Sequence, residues 1–235
     1  MRIMTLGALR AASFLFSPNA HLNLRSTGLP VGKGPRAVAI ADVNHDGKPD
    51  LIVTNADDGT VTVFLGDGRG GFKSAPGSPF SAGPQPNDIG IGDLDGDGNL
   101  DLVIPNHQLP YVAVLLGDGN GSFRPAPGSP FDVHSHPHPH GVAIADFNRD
   151  GKLDVVTDDW GNNRIELLLG NGKGGLSLPG TYFRVGHRPY QRLRTADFNH
   201  DGHPDIVTTN LDDDTVSVML GNGKGGFHDA PDGEC

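Results

Sequence analysis

One nine-residue pattern is written four times along the chain and limits what it can fold into. Its copies are Asp42–Asp50 (DVNHDGKPD), Asp93–Asp101 (DLDGDGNLD), Asp146–Asp154 (DFNRDGKLD) and Asp197–Asp205 (DFNHDGHPD). Oxygen-bearing side chains stand at positions 1, 3, 5 and 9, with glycine at position 6. Three or four carboxylates so close together repel one another unless a cation lies between them. The donor set is all oxygen, which suits a hard cation, Ca²⁺ above all. The side-chain candidates are Asp42, Asn44, Asp46 and Asp50; Asp93, Asp95, Asp97 and Asp101; Asp146, Asn148, Asp150 and Asp154; and Asp197, Asn199, Asp201 and Asp205. Position 7 is Lys48, Asn99, Lys152 or His203, a variety expected where only the backbone carbonyl is used. No cysteine falls in the loops and no histidine takes a side-chain ligand position, so zinc and copper are disfavoured there.

The loop is similar to the first half of an EF-hand, but position 12 holds Val53, Ile104, Thr157 or Thr208 rather than the bidentate Glu. A strand-like run such as Leu51–Thr54 follows in place of a helix. Copies begin 51, 53 and 51 residues apart, and a sustained period near fifty marks a propeller or another array. Each unit repeats the same parts. A short strand precedes the loop (Ala37–Ala41, Ile89–Gly92, Val142–Ala145, Leu193–Ala196), and a buried run follows it. A third strand alternates with period two, its inward residues being Val61, Val63, Leu65; Val112, Val114, Leu116; Ile165, Leu167, Leu169; and Val216, Val218, Leu220. A glycine turn such as Leu65–Phe72 comes next, read as supplying positive φ angles. A fourth edge strand closes the first three units, Pro-rich at Ser74–Phe80 and Arg124–Phe131.

Four strands per unit predict an all-β fold, a β-propeller with four blades visible in this chain. The pattern resembles the FG-GAP/VCBS repeat family, found in integrin α-chain heads, over about residues 33–228. The resemblance implies that the calcium loops are scaffold, joining the first and second strands of each blade opposite most ligand sites. It also implies six to eight blades, where only four loops are present. Residues 1–32 are set apart as an N-terminal segment and 33–235 as the propeller. Ser26–Gly34 is expected to pair with the last blade and close the ring. A longer propeller, or assembly with a second copy, is the alternative.

Composition narrows the function. The net charge of −10 argues against a nucleic-acid partner, and thirteen of the 28 Asp and Glu lie in the four loops. Cys235 is the only cysteine, so no intrachain disulfide supports the fold. Calcium loops point to a secreted or cell-surface setting. Met1-Arg2 and the apolar stretch to Phe16 begin like a signal peptide, but Arg10 interrupts it and Pro18 stands where a small residue is wanted. No run reaches the length of a membrane span.

Ligand contacts are expected on the loops at the opposite end from the metals. The stretch HSHPHPH places His134, His136, His138 and His140 on one face of an extended chain. Such tracts can bind Zn²⁺ or Cu²⁺, though a solvated polar linker is the preferred reading. Trp160 with Tyr190 would stack on a sugar or pack at a blade edge, and His138 and His140 join them as candidate ligand residues. Arg192 and Arg194 replace small residues of other blades, against a looser neighbour or facing an acidic group in the channel. No nucleophile–base pair emerges from spacing. The chain is therefore read as a binding module for a glycan or extracellular protein, then as a structural repeat of a surface assembly that self-associates, and last as a polysaccharide-acting enzyme.

Overall fold

The computed structural model describes residues 28–231 except Pro137, with Gln191 and Arg192 described by backbone alone. The signal-like stretch, Ser26, Thr27, Cys235 and the Arg192 side chain lie outside the described residues. Four antiparallel sheets form a four-bladed β-propeller. The first holds β1 (Pro35–Ala41), β2 (Asp50–Asn55), β3 (Thr60–Gly66), β4 (Phe72–Ser74) and β5 (Phe80–Ser81). The second holds β6 (Gly90–Gly92), β7 (Asp101–Pro105), β8 (Tyr111–Gly117), β9 (Phe123–Pro125) and β10 (Phe131–Asp132). The third holds β11 (Val142–Ala145), β12 (Asp154–Asp159), β13 (Arg164–Leu168) and β14 (Thr181–Arg184). The fourth holds β15 (Pro189–Ala196), β16 (Asp205–Asn210), β17 (Thr215–Gly221) and β18 (Phe227–Asp229).

Each nine-residue loop joins the first strand of a blade to its second, as in β1 to β2. Its last aspartate begins the second strand and is fully buried in all four blades. Asp50 accepts from the Val43 N–H (2.9 Å) and the Gly66 N–H (2.8 Å), and Asp101 from Leu94 and Gly117 (both 2.8 Å). Asp154 accepts from Phe147 (3.0 Å) and Gly170 (2.9 Å), and Asp205 from Phe198 (2.7 Å) and Gly221 (2.8 Å). One carboxylate thus ties the loop to the end of the third strand. The glycine it binds there is not a positive-φ residue. A Cβ at Gly66, Gly117, Gly170 or Gly221 would fall on the carbonyl oxygen of Pro49, Leu100, Leu153 or Pro204. Close backbone approach demands this glycine, and positive φ applies only to later ones such as Gly68 and Gly70.

The fourth strand is two short pieces rather than one. β4 and β5 both pair with β3, and β9 and β10 both pair with β8. In the gap the serine hydroxyl takes over as acceptor: Val63 N–H donates to Ser78 Oγ and Val114 N–H to Ser129 Oγ (both 2.9 Å). The prolines sit where no ladder donor is needed. The fourth blade also has its own closing strand, β18.

Apolar cores lie between sheets. One cluster joins blades one and two through Val61, Val63, Leu65, Leu102 and Leu115. A second joins blades two and three, and a third joins three and four. The middle third strands are therefore buried on both faces, not alternately: β8 is buried from Val112 to Gly117. Among the described residues no core cluster joins the fourth blade to the first. Val38 and Ile40 of β1 are 64% and 68% exposed, and Val216 of β17 is 59% exposed. Loop position 2 follows the same rule. Val43, Leu94 and Phe147 are buried against the next blade, whereas Phe198 is 47% exposed. The described part of the segment expected to close the ring bonds within its own blade: Ala56 and Asp57 N–H donate to the carbonyls of Gly34 (2.8 Å) and Lys33 (3.1 Å).

Two outcomes follow. Asp154→Ala strands two buried backbone donors, and each costs about 1–3 kcal/mol. Urea unfolding is expected to show a loss of about 3 kcal/mol or more, with or without a chelator. The second concerns Glu166 on β13, fully buried near Asp159, Arg164 and Tyr182. Burial pushes its carboxyl from 4.5 up to about 7. A raised acid is stabilising below its unfolded value and loses that stability as pH rises through its folded value. Relative to Glu166→Gln, the native chain should therefore lose stability between about pH 4.5 and about pH 7, read from paired denaturation curves.

Candidate functional site

Two constellations stand at opposite ends of the blades. At one end the nine-residue loops are wound by Asx-type turns. Asp42 accepts from the N–H of Asp46 (3.1 Å) and Gly47 (2.8 Å), and Asp146 and Asp197 repeat both contacts. Position 4 is left-handed in every copy: His45 φ 58°, Gly96 φ 77°, Arg149 φ 60°, His200 φ 60°. Three copies hold a non-glycine residue in that conformation, a cost that persists only where the surroundings impose it.

Of the predicted donors, the structure brings together the carboxylates of Asp93, Asp95 and Asp101 in the second loop, and the loops differ electrically. In the first and third, the position-7 lysine turns back onto the position-5 carboxylate: Lys48 Nζ to Asp46 Oδ2 (3.0 Å) and Lys152 Nζ to Asp150 Oδ2 (3.1 Å). Asp46 and Asp150 are held low chiefly by these lysine bonds. The second loop has Asn99 there instead, donating to Asp97 Oδ2 (2.9 Å). Carboxylate oxygens of Asp93, Asp95 and Asp101 lie within 4.8 Å of one another with no cation of the chain among them. Burial raises Asp95 and pushes Asp101 up to about 6. In the fourth loop Asn199 Nδ2 donates to Asp201 (2.9 Å), and His203 takes position 7. These sets fit a calcium ion by donor chemistry, the second most fully.

At the other end, all four candidate ligand residues meet. His138 and His140 lie on the segment entering β11, Trp160 opens a short 3-10 turn after β12, and Tyr190 lies on β15. The His140 ring is 4.6 Å from Tyr190 and 5.7 Å from Trp160, and His138 is 6.2 Å from Trp160, between ring centres. His107, on the loop from β7 to β8, completes the group. It lies 4.5 Å from His138 and 4.8 Å from His140. Asn106 positions it by capping its own loop, accepting from Gln108 (2.9 Å) and Leu109 (2.8 Å). The sequence carries no signal that singles out His107, since only the fold sets it beside the histidine tract.

The tract itself is not a solvated linker. His134 adopts φ 51° and breaks the extended run, so His134 and His136 are exposed while His138 is half-buried and His140 is 1% exposed. His140 is held by buried Asp158. One carboxylate oxygen accepts from the N–H of His140 (2.8 Å) and Gly141 (2.6 Å), and the other accepts from His140 Nδ1 (3.0 Å). Burial and the neighbouring imidazoles hold His138 down at about 4, and burial lowers His107. Arg188 lies over the Trp160 ring at 4.6 Å, so a cation already occupies one face of the indole. Arg194 reaches Asp88 of the second blade (3.9 Å), an acidic contact rather than mere slack packing.

Buried Asp159 anchors the floor of this cluster. It pairs with Arg164 Nε (2.6 Å), accepts from Asn162 through both oxygens and receives the His136 N–H (2.8 Å). Breaking such a pair costs about 3–5 kcal/mol. Asp159→Ala should lose stability on that scale in chemical denaturation and red-shift the fluorescence of Trp160, the only tryptophan.

Residues 42–104 and 106–157 match the model of the FG-GAP-like repeat. Human cartilage acidic protein 1 is 36% identical over 126 residues, covering 52% of this chain and 19% of that protein. The chain thus spans about a fifth of the curated relatives it matches. A lectin of Agrocybe aegerita that recognises non-reducing terminal N-acetylglucosamine superposes with TM-score 0.52 at 21% identity, covering 83% of this chain and 51% of that one. A protein of unknown function from Desulfotomaculum acetoxidans gives TM-score 0.63 at 16% identity, covering 86% and 57%. At these identities the structural likeness is one of fold. Among the described residues no helix is long and apolar enough to cross a membrane.

Proposed function

We propose that this chain, whose residues 42–104 and 106–157 match the FG-GAP-like repeat, is a calcium-stabilised extracellular binding module. Ca²⁺ fills the four loops, and a glycan or protein ligand docks at the opposite end. The observation that carries this reading is the second loop, where oxygens of Asp93, Asp95 and Asp101 converge within 4.8 Å without a cation of the chain. Unneutralised carboxylates at that spacing repel, and a divalent ion removes the repulsion. In the first and third loops Ca²⁺ displaces the lysine that now rests on the position-5 carboxylate, so these sites bind more weakly than the second. A site held at about 100 times its dissociation constant adds about 2.7 kcal/mol of stability. Millimolar Ca²⁺ should therefore raise the melting temperature by several degrees and a chelator reverse it, with Asp93→Asn removing the tightest step of a calcium titration. A melting curve indifferent to chelator would refute the calcium part. Glycan-array binding, begun with terminal N-acetylglucosamine because a protein of the same fold recognises it, tests the ligand part; silence against all glycans and surface extracts would refute that part.

A second reading, self-association into a surface assembly, is favoured by the uncovered end faces. Val38 and Ile40 on one side, and Val216 and Phe198 on the other, are apolar residues exposed where internal blades bury theirs. Sedimentation velocity in Ca²⁺ should show oligomers that Ile40→Asp and Val216→Asp dissolve; a strict monomer at high concentration rejects this reading.

A further inference from the structure

We propose that His107, His138 and His140 form a binding site for one late transition-metal ion, Zn²⁺ or Cu²⁺, separate from the calcium loops. Ligand nitrogens of the three rings lie within 4.8 Å of one another. A tetrahedral ion with bonds of about 2.0–2.1 Å needs nitrogens about 3.3 Å apart. His107 and His138 are half-buried, whereas the His140 ring is held by Asp158. That division suits a site: one preset ligand and two that close on the ion.

His140 shows why the cluster is more than stacked rings. Its Nδ1–H donates to Asp158 Oδ2 (3.0 Å), which leaves Nε2 as the lone pair. A carboxylate behind a histidine is the usual outer support of a metal ligand, fixing tautomer and ring angle. Asp158 is itself locked by two backbone donors, from His140 and Gly141, so the support is rigid. It is a positioning residue and touches no metal. The three rings come from two blades: His107 from the second, His138 and His140 from the third. Imidazole selects Zn²⁺, Cu²⁺ and their neighbours over Ca²⁺, and no carboxylate belongs to the trio. Three protein ligands on a four-coordinate ion leave one position for water or a ligand donor. Trp160 and Tyr190 pack beside the His140 ring, with Arg188 over Trp160.

The inference stands apart from calcium and from any glycan. The test is calorimetric titration of untagged protein with Zn²⁺ in millimolar Ca²⁺, which keeps the oxygen loops filled. One equivalent should bind, and Co²⁺ in its place should give the intense visible bands of a tetrahedral nitrogen site. His107→Gln should weaken Zn²⁺ binding at least tenfold, and His138→Gln likewise, while His134→Gln in the same tract leaves it unchanged. Both tested rings are only half-buried, and a melting curve in Ca²⁺ checks that each variant is folded. Absence of Zn²⁺ and Cu²⁺ uptake, or uptake unmoved by both His107→Gln and His138→Gln, would overturn the proposal. Zn²⁺ uptake lost instead with Asp93→Asn would also overturn it, by placing the ion in a calcium loop.

Discussion

The fold depends on a buried carboxylate that accepts two backbone amides, repeated in every blade. At Asp50, Asp101, Asp154 and Asp205 one oxygen holds the residue after the loop's first aspartate and the other holds the glycine ending the third strand. The two charge-assisted bonds offset part of the cost of burying the acid, and burial still raises Asp101 and Asp154. The same contact forces the glycine, because the neighbouring carbonyl leaves no room for a Cβ. Loop, second strand and third strand thus become one unit before any apolar packing is counted. Each carboxylate oxygen still has lone-pair capacity for a metal, so the residue can be both strut and ligand.

With blades made rigid, stacking follows from sequence at three places only. Loop position 2 and the third strand press on the following blade, through Val43 and Val61 in one case and Phe147 and Ile165 in another. Backbone bonds add register: Gly174 N–H donates to Leu94 O and Gly225 N–H to Phe147 O (both 3.1 Å). The fourth blade carries the same residues, but Phe198 and Val216 stay exposed. Identical local chemistry with a different outcome shows that burial here is supplied by the neighbour and not by the strand.

The repeat was legible because its signals are local. Loop spacing, strand alternation and glycine turns each occupy a few consecutive residues, and the predicted strands fall within a few residues of those observed. What was not legible depends on distance through space. Nothing near Gly66 announces the Pro49 carbonyl, so its glycine was read as a turn residue. The Pro-rich edge read as one strand because a serine hydroxyl standing in for a ladder partner leaves no periodic trace. Trp160 with Tyr190, and His138 and His140 of the alternating tract, stand out in the sequence as two separate features, and the fold gathers them. His107 was missed, since a lone histidine on a polar loop carries no pattern until a second blade packs beside it.

Placing unlike donors at the two ends of the blades sorts metals by chemistry. Oxygen-only loops suit a hard cation and gain nothing from imidazole, while the histidine trio offers no carboxylate to a hard ion. The ends also differ in what they require of the fold. Each oxygen loop draws its ligands from one blade and can form as soon as that blade does. The trio draws on two blades, so its geometry exists only when the second core cluster is packed, with Val103 and Val114 of one sheet against Val155 of the next. An ion bound there stabilises the packed state over any state in which those blades separate, by linkage. On this argument an ion in an oxygen loop would order a single blade, and an ion in the trio would reinforce the order between two.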